Sequence, residues 1–312
     1  MKRFTALLLA AIMIMSMAAC GNSAAETKTT EGKETQAPAT DAKETQAPTT
    51  EAQTDAGDTA TTAGADETQA PETTGEAAAL DYDKLIIGVD DTFAPMGFLD
   101  ENNDLVGFDI DMAKAVGEKL GIEVEFQVVN WDMKEQELNQ GNIDLIWNGY
   151  SISDERKEKV NFSNAYLDND QVVVTMADSG IKSLADLAGK TVAAQTDSTA
   201  VEAIDAHPDI AATFASRPTF DTNDMAIMDM ESGRSDAVVA DKVLLEYVVS
   251  RKDDPSKYVI LEEGLGAEEY AVGVRKEDTA LLEALNKALD ELKADGTAAE
   301  ISTKWFGSDI VK

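Results

Sequence analysis

From residue 85 onward, short apolar runs alternate with stretches in which apolar side chains return every three or four positions. The runs at 85–89, 122–129, 143–147, 171–176, 191–195 and 237–240 predict buried strands. Over 108–120, Ile110, Ala113, Val116 and Leu120 fall on one side and Gly121 closes the period, which predicts a helix. Residues 132–140, 198–206, 223–232 and 242–251 follow the same rule, and Leu281, Leu282, Leu285, Ala288, Leu289 and Leu292 keep helical spacing up to Gly296. Ser153 is placed to cap a helix, and Ser183-Leu184-Ala185-Asp186 has the spacing of a small capping box. Met225, Met228 and Met230 share one helix and are expected to fill gaps in a core. Strands alternating with helices predict an α/β fold with mostly parallel sheets.

The first eighty residues carry a different pattern. Lys2 and Arg3 precede an apolar run from Phe4 to Met17, too short to span a bilayer comfortably and suited to an export signal over residues 1–19. Met17-Ala18-Ala19-Cys20-Gly21 resembles the bacterial lipobox, in which the thiol is diacylated and the chain is cut just before it. Cys20 is thus expected to be the lipidation site, and an anchor of two or more acyl chains holds stably where one chain is marginal. Residues 20–80 are rich in Thr, Ala and Glu, nearly free of large apolar side chains, and repeat Glu-Thr-Gln-Ala-Pro at 34–38, 44–48 and 67–71. Such a segment buries too little surface to offset the entropy of ordering and reads as a disordered linker. Sixty flexible residues span about 40–45 Å, a leash that would hold a globular domain clear of a membrane.

Composition narrows the chemistry. Of 312 residues, 60 are Asp or Glu and 26 are Lys or Arg, for a formal charge of −34. That charge argues against nucleic-acid binding. One Cys and one His leave no disulfide framework and no Cys-cluster metal site, and they remove the Cys–His hydrolases. No catalytic residue and no cofactor are expected.

In open α/β sheets ligands sit beyond the carboxyl ends of the strands. The first strand is followed by Asp90, Asp91, Thr92 and Phe93; the third by Asn148, Gly149, Tyr150, Ser151 and, a helical turn later, Arg156. Thr196, Asp197, Ser198 and Thr199 follow another, and Asp241 the last. Arg offers a planar fork to a carboxylate, helix-start hydroxyls and N–H groups favour an anion, and Asp accepts from an ammonium. The inventory suits a zwitterion. It lacks a His or a close carboxylate pair for acid–base catalysis.

At this point a family enters. Gly88-Val89-Asp90-Asp91-Thr92-Phe93-Ala94-Pro95, Leu105-Val106-Gly107-Phe108-Asp109-Ile110-Asp111 and residues 143–156 resemble family 3 solute-binding proteins, the amino-acid-binding components of ABC importers. Asn161-Phe162-Ser163-Asn164-Ala165-Tyr166, Gly233-Arg234-Ser235-Asp236-Ala237 ahead of Asp241, and Val272-Gly273-Val274-Arg275-Lys276 are similar to further stretches of that family, so the likeness runs over 83–307. The resemblance implies a two-lobe periplasmic-binding-protein type II fold with two crossover strands, lobe 1 over about 83–168 plus 271–312 and lobe 2 over about 169–270. It implies that Arg156 clamps a ligand α-carboxylate and Asp241 takes the α-ammonium. Ser151 and Thr199, with backbone at Gly149 and Ser198, add hydrogen bonds; Phe93 and Trp131 form apolar walls; Asp90 lies near the ligand side chain. Asn148, Gly149 and Tyr150 belong to the same binding motif. Asn148 and Gly149 stand where many relatives have Ser or Gly, and Asp197 stands where Gly is common. The implied role is capture of a polar L-amino acid by lobe closure and delivery to a permease and ATPase, by a monomer anchored on the outer face of the cell membrane. A cyclohexadienyl dehydratase-like enzyme and a sensory surface module are the alternatives on this fold.

Overall fold

The computed structural model describes residues 80–312. The export signal, Cys20 and all but the last residue of the linker therefore lie outside the described residues. Two sheets organise the rest. In the first, Lys84–Val89 pairs in parallel with Glu123–Val128 on one side and Leu145–Ile146 on the other. Gly273–Val274 then joins Leu145–Ile146 and Asn161–Phe162, both antiparallel. In the second, Val192–Gln195 lies parallel between Thr219–Phe220 and Ala237–Asp241.

The ten-residue strand Leu167–Met176 links the sheets. Its first half pairs antiparallel with Gly266–Tyr270, and its second half with Ala237–Asp241 and Tyr258–Ile260. The chain leaves one lobe along Leu167–Gln171 and returns along Gly266–Tyr270, so these two strands form the ribbon that joins the lobes. This corrects the expectation of mostly parallel sheets: four main pairings are parallel and five antiparallel. Parallel neighbours need a crossover helix, whereas a chain that passes between lobes and comes back lays its strands down head to tail.

Helix Phe108–Leu120 ends at Gly121 in the left-handed conformation (φ +69°), as its sequence predicts. Helix Thr279–Ala294 buries Leu281, Leu285, Ala288, Leu289 and Leu292, the stripe read from spacing. Gly296, also left-handed (φ +87°), turns the chain into a final helix, Thr297–Phe306, against the same face of the first lobe. The methionine expectation holds only in part. Met230 is buried, but Met225 and Met228 are 50% and 63% exposed. In Asn223–Glu231 the buried positions are Asn223, Ala226, Ile227, Asp229 and Met230, and helical periodicity turns 225 and 228 away.

Asp109 pins the first lobe beneath the strand ends. Its Oδ2 accepts from the Gly149 backbone N–H (2.6 Å) and the Tyr166 hydroxyl (2.9 Å) in full burial. Burial drives its carboxyl up to about 7, against the lowering effect of those two hydrogen bonds. A folded-state value raised above the unfolded one contributes stability at low pH that is lost as pH rises through about 7. Between pH 5 and pH 8 the wild type should lose about 2–3 kcal/mol more stability than Asp109→Asn. Urea unfolding at each pH measures this, and parallel profiles for the two proteins would refute it.

Candidate functional site

The carboxyl ends of the strands meet where the lobes face each other. After Val89, Asp90 is buried and accepts from the Thr92 backbone N–H (3.0 Å), the Thr92 hydroxyl (2.7 Å) and, from the other lobe, Gln195 Nε2 (2.7 Å). Burial raises its carboxyl above the ordinary range despite these donors, and burial also raises Asp224, with the charge of Asp90 adding to the effect. Gln195 is itself fixed by donating to the Asp221 carbonyl and accepting from Asn223. Phe93 packs its ring on Gly149, where an added Cβ would fall 2.6 Å from the Phe93 ring and where φ is +58°. Both constraints require glycine there.

Arg156 sits on the short helix Asp154–Lys159, whose first turn is capped by Ser153 accepting from the Arg156 backbone N–H (3.2 Å). Its guanidinium is buried over the Tyr150 ring, 4.6 Å from the centroid. It donates to the Ser151 carbonyl (3.0 Å) and across the cleft to the Asp197 carbonyl (3.3 Å). Glu135 and Glu202 approach its Nε only to 4.0 and 3.9 Å. Tyr150 is a support: its hydroxyl donates to Glu135 (2.8 Å) and its ring stacks on Phe162 and meets Trp131 edge-on. Trp131 lies in that same cluster, with the Lys134 ammonium 5.1 Å from its ring centroid. Asn148 is buried with neither amide atom hydrogen-bonded.

On the facing lobe, Asp241 ends its strand and accepts at Oδ1 from Asn169 Nδ2 (2.8 Å) and the Tyr270 hydroxyl (2.6 Å). Burial, and after it the charge of Glu268, holds its carboxyl well above the usual range. A relay of side chains then crosses the cleft. Gln171 Nε2 donates to the Thr199 hydroxyl, which donates to the Ser151 hydroxyl, each at 3.3 Å. Ser198 turns its hydroxyl to the Gln195 carbonyl (2.8 Å), which shapes the loop.

The loop position where Gly is common resolves as a cross-lobe grip. Asp197 adopts φ +55°, and its carboxylate meets Lys134 Nζ at 2.6 Å. Lys134 side-chain exposure is 0%, and its other donors go to the Trp131 carbonyl (2.9 Å) and the Asp197 carbonyl (3.1 Å). Burial, then the nearby Arg156 charge, lowers its ammonium from the ordinary lysine value. Ser153 also donates across the cleft to Glu202 (3.2 Å), and Phe98 meets Tyr247 edge to face. The lobes are thus closed on each other. Two large surface cavities, of about 970 and 940 Å³, flank Arg156 and Asp241, and the second is lined in part by Asn169 and Glu268.

The predicted residues separate into two groups. Arg156, Ser151 and Thr199 are linked by the contacts above, Asp241 lies opposite Gln171 in register on the neighbouring strand, and Asp90 reaches the other lobe through Gln195. Phe93 and Gly149 pack together, whereas Tyr150 and Trp131 lie under Arg156. The sequence reading missed Lys134, Glu135, Asn169, Gln171, Gln195 and Glu268. It also missed a close carboxylate pair, which the structure supplies in Asp241 and Glu268. Charged or amide residues inside otherwise apolar strand ends were the available signal for Gln171 and Gln195.

Two α/β lobes, a two-strand hinge and a polar cleft between them define a bivalved binding protein of the periplasmic type II class. Residues 85–308 match Bacterial extracellular solute-binding proteins, family 3, and this chain belongs to that family. It is 33% identical over 229 residues to ABC transporter arginine-binding protein 1 of Escherichia coli (strain K12), covering 72% of this chain and 91% of that protein. To the L-cystine-binding protein TcyJ of the same strain it is 30% identical over 237 residues, 73% of this chain and 84% of the relative. The crystal structure of an ABC uptake transporter substrate binding protein from Streptococcus pneumoniae with bound histidine aligns with a TM-score of 0.72 and 44% identity, over 74% of this chain and 95% of that one.

Asp197→Asn tests the grip. Asn tolerates the left-handed turn, so the variant removes charge and little else. It should lower stability by about 1 kcal/mol, the difference between a charged and a neutral hydrogen bond. Thermal unfolding beside the wild type measures it, and an unchanged midpoint would refute it.

Proposed function

We propose that this chain is the extracytoplasmic substrate-binding component of an ABC importer for a polar L-amino acid. The carrying observation is a buried guanidinium on one lobe and a buried carboxylate on the other, Arg156 and Asp241, with a hydroxyl from each lobe, Ser151 and Thr199, in hydrogen-bond contact across the cleft. Arg156 takes the α-carboxylate as a fork, Ser151 and Thr199 with backbone at Gly149 and Ser198 bind its oxygens, and Asp241 takes the α-ammonium. Phe93 and Trp131 wall the ligand, with Asn148 beside them. Asp90, with Asp224 near it, favours a side chain that carries hydrogen-bond donors. Residues 83–168 with 271–312 act as one jaw and 169–270 as the other, and the ligand draws them together by its preference for the closed form. The partners are a permease and ATPase, and Cys20 anchors a monomer to the outer face of the membrane through the 20–80 linker.

Titration calorimetry with the twenty L-amino acids should find at least one that binds below about 100 μM, roughly −5.5 kcal/mol. No binding to any of them would defeat the reading. Arg156→Ala should weaken that binding at least about 100-fold, about 2.7 kcal/mol, while the protein stays folded by circular dichroism.

One observation favours a second reading. A dehydratase on this fold needs an acid in the cleft, and Asp241 beside Glu268 offers a carboxyl that burial raises well above the usual range. The chain is nonetheless expected to show no turnover of prephenate or arogenate, followed by product absorbance. Turnover abolished by Asp241→Asn would replace the transport reading.

A further inference from the structure

Glu268 stands on the returning hinge strand Gly266–Tyr270, directly opposite Asn169 in register. The Asn169 amide donates to both carboxylates at once, 2.6 Å to Glu268 Oε1 and 2.8 Å to Asp241 Oδ1. Gln171 Nε2 also donates to Glu268 Oε1 (2.9 Å), and its own Oε1 is buried with no hydrogen-bond partner. Two carboxylates and an amide oxygen thus converge from three strands. Among the described residues no Lys or Arg pairs with either carboxylate, and the adjacent Lys242 reaches Asp170 instead (3.9 Å). Tyr270, the other titratable group against Asp241, donates its proton to Oδ1. Both donors to Asp241 use Oδ1 and both to Glu268 use Oε1, so Oδ2 and Oε2 receive none among the described residues.

We infer that Glu268 and the side-chain oxygen of Gln171 complete, with Asp241, a three-acceptor pocket that requires a full positive charge on the α-nitrogen of the ligand. An ammonium has three donors and no acceptor, which fits three acceptors and gives two crowded carboxylates the cation they lack. A carboxylate pair with one member buried and the other half-buried is costly without a cation, so the pocket discriminates against ligands that place a hydroxyl there. The inference rests on the amino-acid reading and names how the same site selects.

The experiment compares wild type, Glu268→Gln and Asp241→Asn by calorimetry, with L-histidine, L-arginine and their 2-hydroxy-acid counterparts, imidazole lactate and argininic acid, as probes. For the wild type, the better-bound amino acid should exceed its hydroxy acid at least 100-fold. In Glu268→Gln that amino acid should weaken at least tenfold, with the hydroxy acid changed less than twofold. Amino-acid binding unchanged in Glu268→Gln overturns the inference and leaves the transport reading intact. Equal losses for both probes also overturn it, since a merely structural role predicts them. Glu268→Gln should melt at or above the wild type without ligand, because one of two crowded charges is gone; a lower midpoint assigns Glu268 to the fold instead. Wild type that binds neither amino acid overturns the inference, and the twenty-amino-acid screen then decides the transport reading separately.

Discussion

A charge held away from water is tolerated only where an opposite charge or a full set of hydrogen-bonding groups meets it. Both ends of this cleft obey that constraint by different means. Arg156 is carried on an aromatic face and two carbonyls, with carboxylates no nearer than about 3.9 Å. Those partners are dipoles, weaker than an anion, so the fork keeps its appetite for a carboxylate. Asp241 is carried on an amide and a phenol, again neutral groups. Neither end meets an opposite charge closer than about 3.9 Å, and on the proposed function a dipolar molecule spanning the gap supplies what both lack.

The hinge shares in this arrangement. Asn169, Gln171 and Glu268 belong to the two strands that join the lobes, and the same residues contact Asp241 and Thr199. Ligand charge is therefore felt at the strands that set the angle between the jaws. Other cross-lobe contacts, among them Gln195 to Asp90, Lys134 to Asp197 and Ser153 to Glu202, need no ligand. They lower the cost of closure, and the ligand contributes only the difference between its affinities for the closed and open forms.

Much of this was legible in the sequence, for physical reasons. Gly121 marks a helix end and Ser153 suits a helix start, and the strand-end rule gathered Asp90, Ser151, Arg156, Thr199 and Asp241 from the sequence alone. The misses have reasons too. Leu167–Gln171 reads Leu-Asp-Asn-Asp-Gln, which lacks the apolar run of a buried strand because it crosses between lobes as half of a ribbon. Gly266–Tyr270 failed for the same cause. Lys134 and Glu135 fall in the helical stretch 132–140, and a 3.6-residue period cannot reveal that a second lobe closes over one of its faces. Glu268 was invisible because its partner, Asn169, lies 99 positions earlier.

Asp197 shows how a departure from the family pattern can be read forward. Asp enters the left-handed region more readily than most residues but still at some cost, and a contact of its side chain offsets it. Its carboxylate provides one by meeting the fully buried Lys134, and its carbonyl serves Lys134 and Arg156 together. Lys134 in turn has no water to fall back on. Lys134 also keeps Glu135 at 3.4 Å and the Trp131 carbonyl on its own lobe, and the Asp197 contact adds a partner from the other, which ties the identity of a loop residue on one lobe to that of a helix residue on the other.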